Sequence, residues 1–363
     1  MRVAFPLICA AFALALHAES FENLSARAAA ARAANQVPQA IELYKQALES
    51  NPNWEEGWWY LGTLLYDSDQ YAGAREALSH MVRLDANAAP AVGLLGLSEF
   101  QTGEYAPALK HLEQALASGK LDRTPLEAVV RYHEALLVSH DGQFEAAMQK
   151  YMWFAQSPAA PNTALLTGIG LAALRSPLLP EQIPAPQRDL YDSAGKAAFY
   201  TLSRNYEKAG AALAELQARF PESPGVHYLY GSFLLASAPD HAIAELKHEL
   251  RIAPSNAAAA AMLAWALLNR GEPANALPYA KAASAALPSF STAQYVLGRA
   301  LAETGDVERG IALLARAEQL DPMNLETHLA LASAYSKAGR VEDARRERAR
   351  SVEMAKGVGL VQH

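Results

Sequence analysis

Apolar and small residues in the stretch from Trp58 to Leu78 recur at steps of three and four, as at Trp58, Leu61 and Leu65. This spacing places them on one face of an α-helix. Long alternating runs of β-branched residues, which would predict strands, are missing from the chain. Much of the apolar share is alanine, which has the highest helix propensity. The pattern therefore predicts an all-α protein.

The same pattern recurs at an interval of 34 residues. In the C-terminal part the matching triplets are Leu263, Leu297 and Leu331; Gly271, Gly305 and Gly339; and Pro254, Pro288 and Pro322. Near the N-terminus the matching pairs are Gly62 and Gly96, Ala74 and Ala108, and Leu78 and Leu112. A helix–turn–helix unit that recurs at a constant length is typical of a solenoid.

The repeated residues resemble a known family. The order Trp58, Leu61, Gly62, Leu65, Ala74, Leu78 is similar to the tetratricopeptide repeat (TPR), with leucine at the later aromatic positions. The resemblance covers nearly all of the chain after residue 18. It implies a TPR-type α-solenoid, a right-handed superhelix of antiparallel helix pairs. The repeats are placed at 21–54, 55–88, 89–122, 128–161, 190–223, 224–256, 257–290, 291–324 and 325–356.

Glycines and prolines mark packing sites and turns in this arrangement. Gly62 is expected to face Ala74, because paired helices approach closely only where small residues meet. Glycines predicted to end helices in a left-handed conformation are Gly103, Gly142, Gly271, Gly305 and Gly339. Prolines predicted to separate repeats are Pro52, Pro221, Pro254, Pro288 and Pro322.

The middle of the chain interrupts the repeat. A lone helix is predicted within Pro161–Arg175, and Ser176–Asp189 contains four prolines that prevent a continuous helix. This insertion is either functional or a plain linker. The predicted division is a signal peptide at 1–18, an N-terminal TPR sub-array at 19–161, the lone helix and proline-rich insertion at 162–189, a C-terminal TPR sub-array at 190–356, and a tail at 357–363.

The N-terminus has the features of an export signal. Arg2 precedes an apolar stretch from Val3 to Leu16, and Ala18 offers a small residue for cleavage. Leu16 stands two positions before the cleavage residue, where a small residue is preferred. An alternative is therefore that the segment is not cleaved and remains as a short anchor. Cys9 is the only cysteine and lies inside this segment. The mature chain is therefore expected to be periplasmic or extracellular, without a membrane span, a disulfide or a thiolate metal site.

The charge balance limits the classes of partner. The 363 residues include 31 basic and 38 acidic side chains, which give a net charge of −7. Such a chain has no general attraction for a phosphate backbone or an anionic bilayer. Nucleic acid is therefore not an expected partner.

The resemblance implies a partner-binding groove on the concave face, formed by the first helix of each repeat. The matching positions are largely aromatic and apolar, which suits an extended or helical segment with hydrophobic anchors. They are Trp59, Thr63, Tyr66, Leu97, Phe100, Tyr132, Leu136, Tyr228, Ser232, Trp265, Tyr295 and Arg299. Many of these residues could instead pack against neighbouring repeats. The carboxylate clamp of some TPR proteins is not expected, because the corresponding positions hold residues such as Ser25, Ala29, Trp59 and Thr63.

No catalytic set is recognisable in the sequence. The segment Gly168–Ala173, GIGLAA, matches a loose dinucleotide fingerprint, but no convincing strand precedes it. His133 and His140 lack the spacing of a zinc motif, and the DSDQYA segment lacks residues that a calcium loop requires. No enzyme activity, cofactor or metal is therefore predicted.

These observations favour an exported, non-enzymatic TPR scaffold that binds a protein or peptide in its groove within a cell-envelope assembly. The alternative is an enzyme or small-molecule-binding protein with a pocket built around residues 161–189. Self-association through solenoid ends or grooves is a third possibility.

Overall fold

A computed structural model describes residues 19–156 and 160–360, with side chains up to 356. The predicted signal peptide at 1–18, including Cys9, lies outside the described residues. The described part is helical and contains no strand. Its α-helices are α1 (Phe21–Ala33), α2 (Val37–Ser50), α3 (Glu55–Asp67), α4 (Tyr71–Leu84), α5 (Ala89–Gln101), α6 (Tyr105–Ala117), α7 (Pro125–His140), α8 (Phe144–Ala155), α9 (Thr163–Ala173), α10 (Arg188–Leu202), α11 (Tyr206–Arg219), α12 (Val226–Leu234), α13 (Pro239–Ile252), α14 (Ala257–Asn269), α15 (Pro273–Ala286), α16 (Ser291–Thr304), α17 (Val307–Leu320), α18 (Leu325–Lys337) and α19 (Val341–Leu360).

Successive helices form pairs that correspond to the predicted repeats. Helices joined by a short turn pack against each other in α1/α2, α3/α4, α5/α6, α10/α11, α12/α13, α14/α15, α16/α17 and α18/α19. The second helix of a pair also contacts the first helix of the next pair, as α4 contacts α5 and α15 contacts α16. This nearest-neighbour packing is that of an α-solenoid, which confirms the predicted fold class. The right-handed superhelix stays a prediction.

The turn glycines have the predicted conformation. Gly103, Gly142, Gly271, Gly305 and Gly339 have φ values of +80°, +79°, +74°, +110° and +75°. Apart from the immediate neighbours in the chain, no atom lies within 4 Å of the Cβ position at any of the five. Backbone conformation, rather than space, therefore favours glycine here. The prolines predicted to separate repeats all lie between helices.

Close helix crossings explain the glycines inside helices. A Cβ on Gly62 would lie 2.7 Å from Leu78 Cγ, so the predicted close approach is confirmed. The three atoms nearest to that position belong to Leu78, one turn beyond the predicted neighbour Ala74. A larger residue at Gly62 would have to displace a fully buried leucine.

The helix predicted to be lone is in fact paired. Helix α9 crosses α10 so closely that a Cβ on Gly170 would lie 1.9 Å from the carbonyl oxygen of Tyr191. A Cβ on Gly195 would lie 1.8 Å from the carbonyl oxygen of Leu166. The prediction was wrong because the packing partner of α9 lies beyond the proline-rich insertion.

The insertion itself is ordered by burial. It contains two short 3₁₀ helices, Pro180–Gln182 and Ala185–Gln187. The side chains of Leu179 and Ile183 are only 2% and 4% exposed. Burial of two large apolar residues is not typical of a plain linker.

The chain divides into two compact units, Met1–Leu137 and Val138–His363. In the first unit, the core includes the buried side chains of Tyr44, Leu61 and Leu78. In the second, Leu246, Leu263, Val296 and Leu314 belong to a core of buried residues. The division at 137/138 lies earlier than the predicted insertion, so the sub-array borders stay a prediction. Within the described residues, none of the helices has both the length and the apolar character that crossing a membrane requires.

Candidate partner-binding surface

Three predicted groove residues lie together on α3 in the first unit. The side chains of Trp59, Thr63 and Tyr66 are each partly exposed. The Thr63 hydroxyl donates a hydrogen bond to the carbonyl oxygen of Tyr60, and the Tyr66 ring contacts Tyr71 edge-on with 5.4 Å between centroids. Burial, with the nearby Asp67 and Asp69 carboxylates, raises the pKa of Tyr66. Tyr66 is therefore a neutral aromatic side chain that can offer both its ring and its hydroxyl to a partner.

Four of the predicted groove residues are buried. The side chains of Leu97, Phe100, Leu136 and Tyr295 are 1%, 7%, 2% and 6% exposed. They pack against neighbouring helices, as the alternative interpretation of the aromatic and apolar stripe predicted. In this structure these four are closed to a partner.

Tyr132, Tyr228 and Ser232 are partly exposed. Tyr132 contacts His133 edge-on, with 5.2 Å between ring centroids. Tyr228 lies close to the charged Arg175 side chain, whereas the Ser232 hydroxyl oxygen is buried and has no hydrogen-bond partner among the described residues. Burial raises the pKa of Tyr228, and the Arg175 charge offsets part of that increase.

In the second unit, a hydrogen bond from Trp265 links two repeats across the repeat between them. Its indole Nε1 donates a 2.7 Å hydrogen bond to Oε2 of Glu326. Trp265 lies on α14 and Glu326 on α18, so the bond passes over α16. The first helices of repeats that are not adjacent in sequence are thus joined directly.

Arg299 is the centre of a polar network beside this bond. Its guanidinium donates to Glu303 Oε1 at 2.7 Å, to Asn269 Oδ1 at 2.7 Å and to the Tyr295 hydroxyl at 3.1 Å. A further bond reaches the carbonyl oxygen of Leu268 at 3.1 Å. Because its N–H donors bond to groups of the same chain, Arg299 stabilises this surface rather than presenting a free charge to a partner.

A pocket of about 340 Å³ opens next to Arg299, between the first helices α16 and α18. Its lining includes residues that the sequence reasoning missed. They are Asn269, Glu303, Glu326, Leu329 and Lys337. The 34-residue interval could have identified most of them: Leu329 follows Tyr295 by 34 residues, and Asn269, Glu303 and Lys337 form a further triplet at that spacing.

One cluster has the residue types of a metal site. Ligand atoms of Glu318, His328 and Glu347 lie within 4.8 Å of one another. The cluster is occupied by its own hydrogen bonds, since His328 contacts Glu347 and the carbonyl oxygen of Pro322, and Arg350 contacts both glutamates. A cation would have to displace the Arg350 guanidinium and a proton of His328. The arrangement is that of an internal ion-pair network.

The dinucleotide-like segment is part of a helix. Gly168–Ala173 lies wholly inside α9, and the backbone of Tyr191 packs directly against Gly170. A phosphate-binding loop requires a strand, a turn and free backbone N–H groups at the start of a helix. The segment therefore serves helix packing.

Successive helix pairs joined by short turns define a helical-repeat protein. The chain contains tetratricopeptide repeats: residues 261–324 match one tetratricopeptide repeat family, and residues 31–98 and 301–351 match another. No curated protein matches the sequence.

Solved structures with a similar fold include MamA, residues 41 to the end, from Desulfovibrio magneticus RS-1, at 22% identity and a TM-score of 0.39. The match covers 46% of this chain and 96% of MamA. YrrB, described as a TPR protein with an unusual peptide-binding site, matches at 19% identity and a TM-score of 0.36. That match covers 44% of this chain and 82% of YrrB.

Proposed function

We propose that this protein is an exported, non-enzymatic scaffold that binds a protein or peptide partner on the first-helix surface of its repeats. The observation that supports the proposal best is the group formed by Trp59, Thr63 and Tyr66, which are partly exposed on successive turns of one first helix. Aromatic side chains that are held by packing but still open to solvent are typical anchors of protein interfaces.

The rigid surface around Trp265 and Arg299 supports binding in the second unit. Its side chains are held by hydrogen bonds before a partner arrives, so less conformational entropy is lost on binding. Leu329 is 50% exposed beside this network and offers an apolar contact. We expect an extended or helical segment to bind here through one apolar side chain and polar groups around it.

A comparison of two double variants tests the proposal. Trp59→Ala with Tyr66→Ala removes the α3 anchors, whereas Trp153→Ala with Tyr206→Ala removes a tryptophan and a tyrosine from helices α8 and α11, outside the proposed surface. Both are compared with the unmodified protein as bait in extracts of the native cell envelope, with quantitative mass spectrometry. The proposal predicts that partners are lost only from the α3 variant. Equal recovery by all three baits would contradict it.

Export and a role in cell-envelope assembly belong to the same proposal. They rest on the apolar segment from Val3 to Leu16 and the small residue Ala18. Fractionation of the native host, with N-terminal sequencing of the recovered chain, tests them. We expect a mature chain that begins at Glu19 in the periplasmic or extracellular fraction, and recovery of a full-length chain from the cytoplasm alone would exclude export.

A further inference from the structure

A second surface of the first unit lies away from the first-helix residues discussed above. A pocket of about 900 Å³ opens between the second helices α2 and α4, above α3. Its apolar lining comes from Leu48, Trp58, Leu61, Leu65 and Ala77. This volume falls within the range of about 300–1,000 Å³ that is usual for ligand pockets. None of the predicted groove residues lines it.

Small residues on α4 create the space. Gly73 and Ala77 line the pocket, whereas the residues 34 positions earlier, on α2, are Gln39 and Leu43. A Cβ on Gly73 would lie 3.4 Å from Leu65 Cδ1, an ordinary contact distance, and Gly73 has no positive φ. Neither packing nor backbone conformation therefore requires glycine at position 73, in contrast to Gly62.

Unneutralised carboxylates surround the apolar lining. Glu49, Asp69 and Glu76 border the pocket together with one cation, Lys45. In the described part of the chain, neither Glu49 nor Glu76 forms an ion pair, and Asp69 accepts a hydrogen bond from the Tyr71 hydroxyl. The surrounding unit is acidic as well, since residues 19–137 contain 16 acidic and 9 basic side chains. The pocket thus combines an apolar interior with a negative border.

We propose that this pocket binds a cationic segment of another protein, with one large apolar side chain inside the pocket and Lys or Arg side chains against Glu49, Asp69 and Glu76. The apolar side chain gains by leaving water, and the flanking cations gain from the negative potential around the pocket. Charge complementarity selects a cationic segment over a neutral or acidic one. This surface is separate from the first-helix surface of the proposed function, and the two can be tested independently.

Three synthetic peptides serve as probes for the full chain. Each is an eleven-residue, fluorescein-labelled peptide with Trp-Leu at its centre, flanked by Arg and Lys, by Ser and Gly, or by Glu and Asp. Fluorescence anisotropy measures the affinity of each peptide at low and high salt. We expect the cationic peptide to bind at least tenfold more tightly than the neutral one. Its advantage should shrink at high salt, because the carboxylates are exposed and screened.

Substitutions distinguish a loss of binding in the pocket from a loss of folding stability. Gly73→Leu fills the pocket, so we expect at least a tenfold loss of affinity for the cationic peptide, while the melting temperature stays equal or rises. Gly210→Leu on α11 is the matched control, since its Cβ would also have ordinary space, 3.6 Å from Phe233 Cε1. It should leave binding unchanged. Glu49→Gln and Glu76→Gln should each weaken binding by about two- to fivefold and reduce its salt dependence.

Several results would overturn the proposal. Equal binding of the cationic and neutral peptides would exclude the role of the carboxylates, and normal binding by Gly73→Leu would exclude the pocket. A concentration-dependent dimer, seen by analytical ultracentrifugation and abolished by Gly73→Leu, would assign the pocket to a second copy of this chain instead. Because Tyr66 contacts the pocket residue Tyr71, the first-helix surface is tested here with the Trp59→Ala, Thr63→Ala variant. Unchanged peptide binding by this variant supports a separate site, whereas its loss would place the peptide on the first-helix surface.

Discussion

His328 Nδ1 lies 2.6 Å from Glu347 Oε2, and both side chains are buried. The other ring nitrogen, Nε2, lies 3.1 Å from the carbonyl oxygen of Pro322. Because both neighbours are hydrogen-bond acceptors, the arrangement is fully satisfied only when both nitrogens carry a proton. This arrangement thus favours the protonated form of His328, which joins the end of one repeat to the helices of the next.

The same position joins other repeats through a histidine, tryptophan or glutamine side chain. His227 contacts Glu245 and the carbonyl oxygen of Pro221 in the same way. Trp58 donates to the carbonyl oxygen of Pro52 at 2.8 Å, and Gln294 donates to that of Pro288 at 3.3 Å. In each case the donor follows the proline by six residues. A hydrogen-bond donor at this position therefore ties the first helix to the turn before it.

The first prediction concerns pH. Burial lowers the pKa of His328, but the hydrogen bonds to Glu347 and to Pro322 outweigh it, so the pKa is raised overall. A raised folded-state pKa gives stability that is complete below the unfolded value of about 6.5 and is lost as pH rises through the folded value. We expect the melting temperature, measured by calorimetry, to fall as pH increases above 6.5.

Glutamine is the control for this effect. His328→Gln can still donate to Pro322, as Gln294 does to Pro288, but it does not titrate. The charged groups that face His328 are Glu347 and Arg350 on α19 and Glu318 on α17. The variant should therefore show a weaker dependence of melting temperature on pH. An identical pH profile in the variant and the unmodified protein would exclude His328 as the source.

The 34-residue interval made the helix pairs and their turns predictable, because each glycine or proline acts through its own backbone. The bond from His328 to Pro322 was not predicted, although the six-residue spacing is visible in the sequence. Its acceptor is a backbone carbonyl, and no residue type reveals where a carbonyl will point. The pairing of α9 with α10 was missed for a related reason, because the intervening prolines hide a contact made by Gly170 and Gly195.

The second prediction tests that crossing. Gly170→Ala places a Cβ against the carbonyl oxygen of Tyr191, and backbone cannot move away as a flexible side chain could. We expect the free energy of unfolding to fall by about 1–3 kcal/mol or more, measured by denaturant titration. Gly210→Ala, in a helix with ordinary space at Cβ, should instead raise it by up to about 1 kcal/mol. Equal effects of the two substitutions would contradict the close crossing.

The third prediction concerns Arg204, which ends its helix with φ of +56°. The equivalent turn positions hold glycine in several repeats, such as Gly103 and Gly305, and Asn35 and Asp69 in the first two. A left-handed conformation costs a residue with a side chain roughly 1–2 kcal/mol. Arg204→Gly should therefore raise the melting temperature, offset in part by the greater freedom of glycine in the unfolded chain. Gly305→Ala, at φ of +110° with open space around Cβ, should lower it. Differential scanning calorimetry compares the two variants, and a lower melting temperature for Arg204→Gly would contradict this account.

The sequence predicted which positions form the candidate surface, but not which of their side chains are exposed. The register placed Trp59 and Leu97 on first helices, but it could not tell that one would stay partly exposed and the other be only 1% exposed. Burial depends on how the neighbouring helices cover each position, which a repeat interval does not contain. The bond between Trp265 and Glu326 was unpredictable for the same reason, since it depends on how three successive first helices are arranged.

That bond supports the last prediction. Trp265→Phe keeps an aromatic ring on α14 but removes the donor to Glu326, so the direct link across α16 is lost. We expect the free energy of unfolding to fall by about 1 kcal/mol, the usual contribution of one hydrogen bond, and amide exchange in α18 to become faster. Glu326→Gln keeps an acceptor oxygen and should have a smaller effect. Trp153→Phe, on the second helix α8, is the matched control and should leave exchange in α18 unchanged. If Trp265→Phe and Trp153→Phe gave the same exchange pattern, the first helices α14 and α18 would not depend on this link.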